Sequence, residues 1–179
     1  MNPSRRLAIA ATCLCAGRVA QAGNQPEEGG VEVDISTLAQ EELRIVQWDS
    51  KPVWILRRSP AMLTLLGSSQ LMARLDNPAA STGGPAYTQN IHRSIKPEIF
   101  VGIAICPHAG CVPVPRLKPG PRPEDPENWP GGFACPCHFA SFDLAGRVFK
   151  DKPTRENIEV PRHRYLDDSR ILLGRDAET

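Results

Sequence analysis

The sequence has no excess of charge of either sign, no long apolar run, and no internal repeat or low-complexity tract. Lys and Arg number 21 against 20 Asp and Glu, which argues against nucleic acid or an anionic membrane surface as a partner. The apolar run Leu7–Gly17 would span only about 16 Å as a helix, roughly half of a bilayer core. The 179 residues suffice for one hydrophobic core.

Proline is abundant, and its 18 copies argue against long helices and favour short strands joined by loops. Val31–Ile35 alternates with period two, and the apolar run Ile99–Ile105 indicates a buried strand. Leu43–Trp48 and Pro52–Arg57 predict a hairpin. The seven prolines of Val112–Pro130 predict a surface loop without regular structure. The coarse pattern is therefore mostly β.

Two short cysteine–histidine boxes are the main candidates for chemistry: CPHAGC at 106–111 and CPCH at 135–138. Each box places a Cys and a His two or three residues apart, so that a turning backbone can point both side chains the same way. Pro107 and Pro136 restrict φ inside the two segments. The 23 residues between the boxes leave enough chain for two loops to face one metal site.

Other interpretations of these boxes are a zinc site and a purely structural disulfide framework. Zinc is a common metal for two Cys and two His, but its cysteines are usually spaced C-x₂₋₄-C, unlike the pairing here. A disulfide framework would explain the four cysteines of the boxes but not a histidine in each box.

The boxes and their flanks resemble the Rieske iron–sulfur subunit of bacterial ubiquinol–cytochrome c reductase. The second box continues as CPCHFASFD, and the similar flanks include VEVDIS, KPVWILRRSP, RSIKPEIFVGIAIC, WPGGFACPCH and FDLAGRVFKDKP. The resemblance covers about residues 31–174. It implies an all-β, Rieske-type antiparallel domain over 31–179, with short helices and an inserted cluster-binding subdomain at about 104–143.

The resemblance also implies one Rieske 2Fe–2S cluster. In such a cluster two cysteines hold one iron and two histidines hold the other, which assigns Cys106, Cys135, His108 and His138 as ligands. It further implies a disulfide between Cys111 and Cys137, which would clamp the two boxes. Such a bond is typical of an oxidising compartment.

The function that the resemblance implies is transfer of an electron from ubiquinol to a c-type cytochrome, as the catalytic iron–sulfur subunit of a dimeric cytochrome bc complex. The partners would be cytochrome b and the c-type cytochrome. By position, His138 is the ligand that hydrogen-bonds the quinol and accepts its proton, and His108 is the other exposed ligand. His163 lies in the charged stretch PRHRY and is predicted to be a surface residue, while His92 receives no role.

Several positions around the boxes depart from the family pattern: Ala109, Phe139, Ala140, Phe142 and Pro153 in the altered loop 151–155. Ala140 and Phe142 stand where the family has a Ser and often a Tyr that donate hydrogen bonds to cluster or ligand sulfur. Their loss predicts a lower reduction potential. Phe139 replaces a Gly, and it would be strained there if the backbone needs a positive φ.

The N-terminal segment also differs from the family, which carries a membrane-spanning helix there. Residues 1–22 are typical of a signal peptide or a shortened anchor, with Ser4-Arg5-Arg6 resembling a twin-arginine signal and Ala20-Gln21-Ala22 a cleavage site. Residues 23–30 predict a flexible hinge linker. The expected location is the periplasmic face of the bacterial inner membrane.

Other functions remain open at this point. One is a soluble periplasmic electron-transfer subunit, such as the small subunit of an arsenite-oxidase-like enzyme, whose group sometimes has Phe after C-P-C-H. The flanking segments match the quinol-oxidising family better. A Rieske ferredoxin of an oxygenase usually lacks the disulfide pair. A degenerate paralogue would agree with the altered positions but not with the intact ligands.

Overall fold

The structure, a computed structural model, describes residues 30–79, 82–122 and 128–176. The signal-like segment 1–22 and all but the last residue of the linker 23–30 lie outside these ranges. The strands are β1 Val31–Asp34, β2 Leu43–Trp48, β3 Lys51–Arg57, β4 Ile99–Ile103, β5 Val114–Arg116, β6 Gly132–Ala134, β7 Ser141–Phe142, β8 His163–Tyr165 and β9 Arg170–Leu173. The helices are α1 Pro60–Leu66, α2 Ser69–Met72 and a 3₁₀ turn, Ala86–Thr88.

The strands form three antiparallel sheets of three strands each, in the orders β1-β9-β8, β2-β3-β4 and β5-β6-β7. All three strands of the last sheet fall between residues 114 and 142, inside the region expected to carry the cluster. The prediction of an antiparallel β fold with short helices is confirmed. Among the residues that the structure describes, no helix combines the length and the apolar character needed to cross a membrane.

The central strand β3 is buried on both faces, which explains its nearly continuous apolar sequence. Val53 and Ile55 point into one core, together with residues of β1, β4 and β9. Trp54 and Leu56 point the other way, into a second core that extends to β6 and β7. Because side chains alternate along a strand, one apolar run supplies both cores.

An aromatic stack joins the central sheet to the sheet that follows the boxes. The rings of Trp54 on β3 and Phe133 on β6 lie 4.1 Å apart between centroids, with an interplanar angle of 11°. Both side chains are fully buried. This contact seats β6, and with it the second box, directly on the central sheet.

Two sequence predictions are wrong. Val112–Pro130 is not without regular structure, because β5 lies within it and pairs with β6. Pro115 is accommodated because β5 is an edge strand, where a missing N–H donor costs little. His163 is not a surface residue but is 1% exposed, since β8 turns its side chain inward while the adjacent Arg162 points to solvent.

Candidate metal centre

The first box forms a tight loop at the end of a buried strand. Strand β4 is buried along its whole length and leads into the loop after Ala104, whose N–H donates to the carbonyl of Pro52 at 2.8 Å. The N–H of Cys106 donates to the carbonyl of Cys111 at 2.8 Å, and the N–H of Gly110 donates to the carbonyl of Cys106 at 2.9 Å. These two bonds close residues 106–111 into a loop.

The second box is closed by the same pair of backbone bonds. The N–H of Cys135 donates to the carbonyl of Ala140 at 2.7 Å, and the N–H of Phe139 donates to the carbonyl of Cys135 at 3.1 Å. The loop 135–140 thus repeats the hydrogen bonding of the loop 106–111, with Phe139 at the position that Gly110 occupies in the first. Strands β6 and β7, which pair antiparallel, hold its two ends together.

Gly132 allows β6 and β7 to approach closely enough to support this loop. Its φ is 150°, and a Cβ there would overlap the carbonyl oxygen of Phe142. Any larger residue would therefore separate the two strands beneath the second box.

The fifth residue of each loop has a left-handed backbone. Gly110 has φ 75°, which glycine adopts at little cost, and Phe139 has φ 60°. A non-glycine residue in this region is disfavoured by about 1–2 kcal/mol. The sequence predicted strain at Phe139 only if its backbone had a positive φ, and the φ of 60° meets that condition.

A disulfide links the two loops. Cys111 and Cys137 are bonded at an S–S distance of 1.99 Å, with their Cα atoms 6.6 Å apart. The sulfur of Cys135 lies within 4.8 Å of both disulfide sulfurs. Because two of these three sulfurs are already bonded to each other, the group does not form a three-cysteine metal site.

Cys106 and Cys135 remain as free thiols and are both buried. Their side chains are close enough to hydrogen-bond. Burial, together with the neighbouring Cys135, raises the pKa of the Cys106 thiol, whereas the backbone N–H groups of His108 and Ala109 lower it. A nearby cation would favour the thiolate that burial now disfavours.

His108 and His138 lie side by side at the exposed tip of the two loops. Their ring centroids are 4.7 Å apart and the rings are nearly perpendicular, at 86°. Both residues are solvent-exposed, whereas the two free thiols are buried. The loops therefore present two sulfur donors on the inside and two imidazole donors at the surface, which fits the donor set of a Rieske 2Fe–2S cluster.

The departures from the family pattern occupy different environments. Ala140 and Phe142 are fully buried, while Phe139 is 65% exposed. Ala109 and Pro153 are exposed as well. Because both Phe139 and Ala109 are exposed, Phe139 does not fill a buried space at Ala109.

Ser141 is the hydroxyl nearest to the second box in the sequence. It is buried, and its Oγ donates to the carbonyl of Phe139 at 3.2 Å. The hydroxyl hydrogen of Ser141 is therefore already donated within the loop.

A buried ion pair behind the second loop was not recognised from the sequence. Arg147 and Asp143 are both fully buried, and their side chains are joined at 2.8 Å. A second oxygen of Asp143 accepts from the N–H groups of Ala145 and Arg147, and Arg147 also donates to the carbonyl of Leu66 at 2.9 Å. The pair ties the turn after β7 to helix α1. The Asp and Arg four residues apart in FDLAGR were the available signal.

Two further arginines are buried in the same part of the molecule. Arg58 donates to the Ser94 hydroxyl at 2.7 Å and to the carbonyl of His92 at 2.9 Å. Arg93 donates to the carbonyls of Ala145 and Gly146, both at 3.1 Å. These cations satisfy carbonyls of loops that otherwise lack strand partners, which is a structural role.

Comparison with known proteins agrees with this geometry. Residues 76–163 match the family model of the Rieske [2Fe-2S] domain. The chain is 44% identical over 177 residues to the ubiquinol-cytochrome c reductase iron-sulfur subunit of Allochromatium vinosum, covering 98% of this chain and 76% of that protein. It is 33% identical over 144 residues to the mitochondrial cytochrome b-c1 complex subunit Rieske-1 of Nicotiana tabacum.

The last alignment covers 80% of this chain and 48% of the plant protein, so the chain spans about half the length of that relative. Among solved structures, a chain of a hyperthermophilic respiratory Complex III aligns with a TM-score of 0.46 and 17% identity, over 87% of this chain and 79% of the other, a likeness too low to support an inference. On the sequence identity and the domain match, this chain belongs to the family of Rieske iron–sulfur subunits of ubiquinol–cytochrome c reductase, which carry one Rieske 2Fe–2S cluster.

Proposed function

We propose that this chain passes electrons from ubiquinol to a c-type cytochrome as the iron–sulfur subunit of a cytochrome bc complex. The observation that carries the proposal is the convergence of two buried free thiols and two exposed imidazoles on one pair of loops clamped by a disulfide. The identity to the bacterial subunit, which extends over 98% of this chain, supports this function over that of an unrelated soluble Rieske subunit.

In this proposal Cys106 and Cys135 hold one iron of the cluster and His108 and His138 hold the other. When bound, the cluster supplies a one-electron acceptor and donor. The thiol side is shielded from water by its burial, and the imidazole side is exposed and would contact the partner. The disulfide keeps the two loops at a constant separation, so that the four donors stay in place.

His138 is the residue proposed to contact the quinol. Its ring is exposed, and His108 packs against it at 4.7 Å between centroids, which restricts its orientation. An exposed imidazole nitrogen can accept a hydrogen bond from a quinol hydroxyl and then retain the proton. His108 is the second exposed imidazole and is proposed to share this proton coupling.

The proposed partners are cytochrome b, which would present the quinol, and a c-type cytochrome, which would receive the electron, within a dimeric complex. The proposed location is the periplasmic face of the bacterial inner membrane, after export through a twin-arginine signal. The balanced charge, 21 basic against 20 acidic residues, gives no reason to expect nucleic acid as a partner.

The proposal is tested by expressing the chain with its native N-terminus, separating membranes from periplasm, and recording the EPR spectrum of each fraction after reduction. A Rieske-type signal in membranes that copurifies with cytochrome b is the expected result. A signal confined to the periplasm would support a soluble electron-transfer subunit instead. Absence of a signal from iron-loaded protein would overturn the cluster itself.

A further inference from the structure

The tip of the two loops carries a concentration of exposed apolar side chains. Phe139 is 65% exposed, Val112 is 52% exposed and Val114 is 37% exposed. We call these three residues the apolar rim. Val112 follows Cys111 directly and Phe139 lies two residues after Cys137, so the disulfide brings these two residues towards each other, while Val114 lies on the adjoining strand β5.

Phe139 holds this position in a backbone conformation that is unfavourable for it. Its φ of 60° matches that of Gly110 at the equivalent place in the first loop, where the residue has no Cβ. Its backbone N–H is bonded to Cys135, but most of its side chain faces solvent. Contacts of the exposed ring within the chain therefore offset little of the unfavourable backbone conformation. A contact with another molecule could offset it.

The surroundings of the rim indicate the chemistry of that contact. Residues 99–115 and 129–142, which contain both loops and strands β4, β6 and β7, include no Asp, Glu, Lys or Arg. The first charged residue after the first of these ranges is the exposed Arg116, at the end of β5. The two exposed histidines are the titratable groups at the surface of the tip. A charge-free, apolar tip is suited to an apolar partner surface and unsuited to a charged protein patch.

We propose that Phe139 is the apolar anchor by which this tip docks into the quinol-binding pocket of its partner subunit. This inference rests on the proposed function, since a pocket that admits a lipid-soluble quinol is lined mainly by apolar side chains. Docking buries the Phe139 ring next to His138, so that the burial offsets the backbone strain. Phe139 is thus a positioning residue, which sets how tightly the tip binds in the quinol-binding pocket.

The test uses membranes that contain the assembled complex with the full-length chain, a soluble short-chain ubiquinol and an excess of the c-type cytochrome. Rates are normalised to the amplitude of the reduced Rieske EPR signal, so that partial loss of the cluster does not affect the comparison. Phe139→Ala removes the ring but keeps a Cβ at the same φ. We expect the apparent KM for quinol to rise by about tenfold, as burial of an aromatic ring predicts.

Phe139→Leu retains apolar volume and is expected to restore most of the KM. The midpoint potential of the cluster should be nearly the same in the three proteins, because Phe, Leu and Ala side chains have no donor for cluster sulfur and the 65% exposed Phe139 ring shields the site little. Ile45→Ala is the matched control, since Ile45 is an exposed apolar residue, 55% exposed, on an edge strand of another sheet. It should leave KM and kcat unchanged.

An unchanged KM in Phe139→Ala would overturn the proposal, and so would a Leu variant as impaired as the Ala variant. Failure of the proposed function looks different. In that case the membranes with the unaltered chain would show no quinol-dependent reduction of the Rieske signal, whatever residue stands at position 139.

Discussion

Restoring a hydroxyl at Ala140 is expected to raise the reduction potential of the cluster. Ala140 is fully buried, and its carbonyl accepts from the N–H of Cys135 at 2.7 Å, so its side chain lies in a dry position beside a proposed ligand. Reduction adds negative charge to the cluster. A hydroxyl that donates to cluster sulfur then stabilises the reduced form more than the oxidised form.

The size of the effect follows from the energy of one hydrogen bond. A net value of about 1 kcal/mol, within a range of roughly 0.5–1.5 kcal/mol, corresponds to about 40 mV for a one-electron couple. We therefore expect Ala140→Ser to raise the midpoint potential by about 20–65 mV. Ser141 does not make this change redundant, because its own hydroxyl donates to the carbonyl of Phe139.

The assay is an EPR-monitored redox titration of the purified full-length protein at constant pH. Ala145→Ser is a matched control, because it introduces the same hydroxyl at another fully buried alanine, in the turn after β7. This control should leave the midpoint unchanged. A midpoint that is unchanged or lower in Ala140→Ser, with the signal shape preserved, would refute the argument.

Three further predictions concern stability. Replacing Cys111 and Cys137 together by Ser should lower the free energy of unfolding, measured with denaturant, by about 3–4 kcal/mol, because the disulfide closes a loop over a separation of 26 residues in the unfolded chain. A loss under 1 kcal/mol would contradict this. Asp143→Asn leaves the buried Arg147 without a countercharge and should cost about 3–5 kcal/mol, whereas an exposed pair would cost less than 1. Burial lowers the pKa of His163 below its usual 6.5, because it favours the neutral ring in the folded state. The free energy of unfolding therefore keeps its full His163 contribution above pH 6.5 and loses it as the pH falls. His163→Asn should flatten the acid slope of the unfolding free energy, and an identical slope would show that His163 does not titrate on unfolding.

Local signals in the sequence were sufficient for the elements that depend on neighbouring residues. The β2–β3 hairpin follows from a two-residue turn, and both Asp49 and Ser50 adopt positive φ, 49° and 58°. Ser59 caps helix α1 by accepting from the N–H of Met62, with Pro60 at the first helical position. Such features need contacts only a few residues apart, which is why pattern and turn chemistry predict them.

Elements that depend on distant partners were harder to predict. Strand β5 lies in a proline-rich stretch and forms because β6 supplies its hydrogen-bonding partner. His163 is surrounded by charged residues in the sequence, yet it is buried because β8 pairs with β9 and turns one face inward. Neither the pairing nor the direction of the face is encoded in the adjacent residues alone.

The sequence by itself determined which chemistry this chain can support, because a metal site requires particular donor side chains and the two boxes supply them at close spacing. Only the tertiary structure decided how those donors are arranged. It places the rings of His108 and His138 side by side at the surface, keeps Cys106 and Cys135 inside, and holds Phe139 exposed at a positive φ. These properties arise from contacts between loops far apart in the chain, so no local pattern records them.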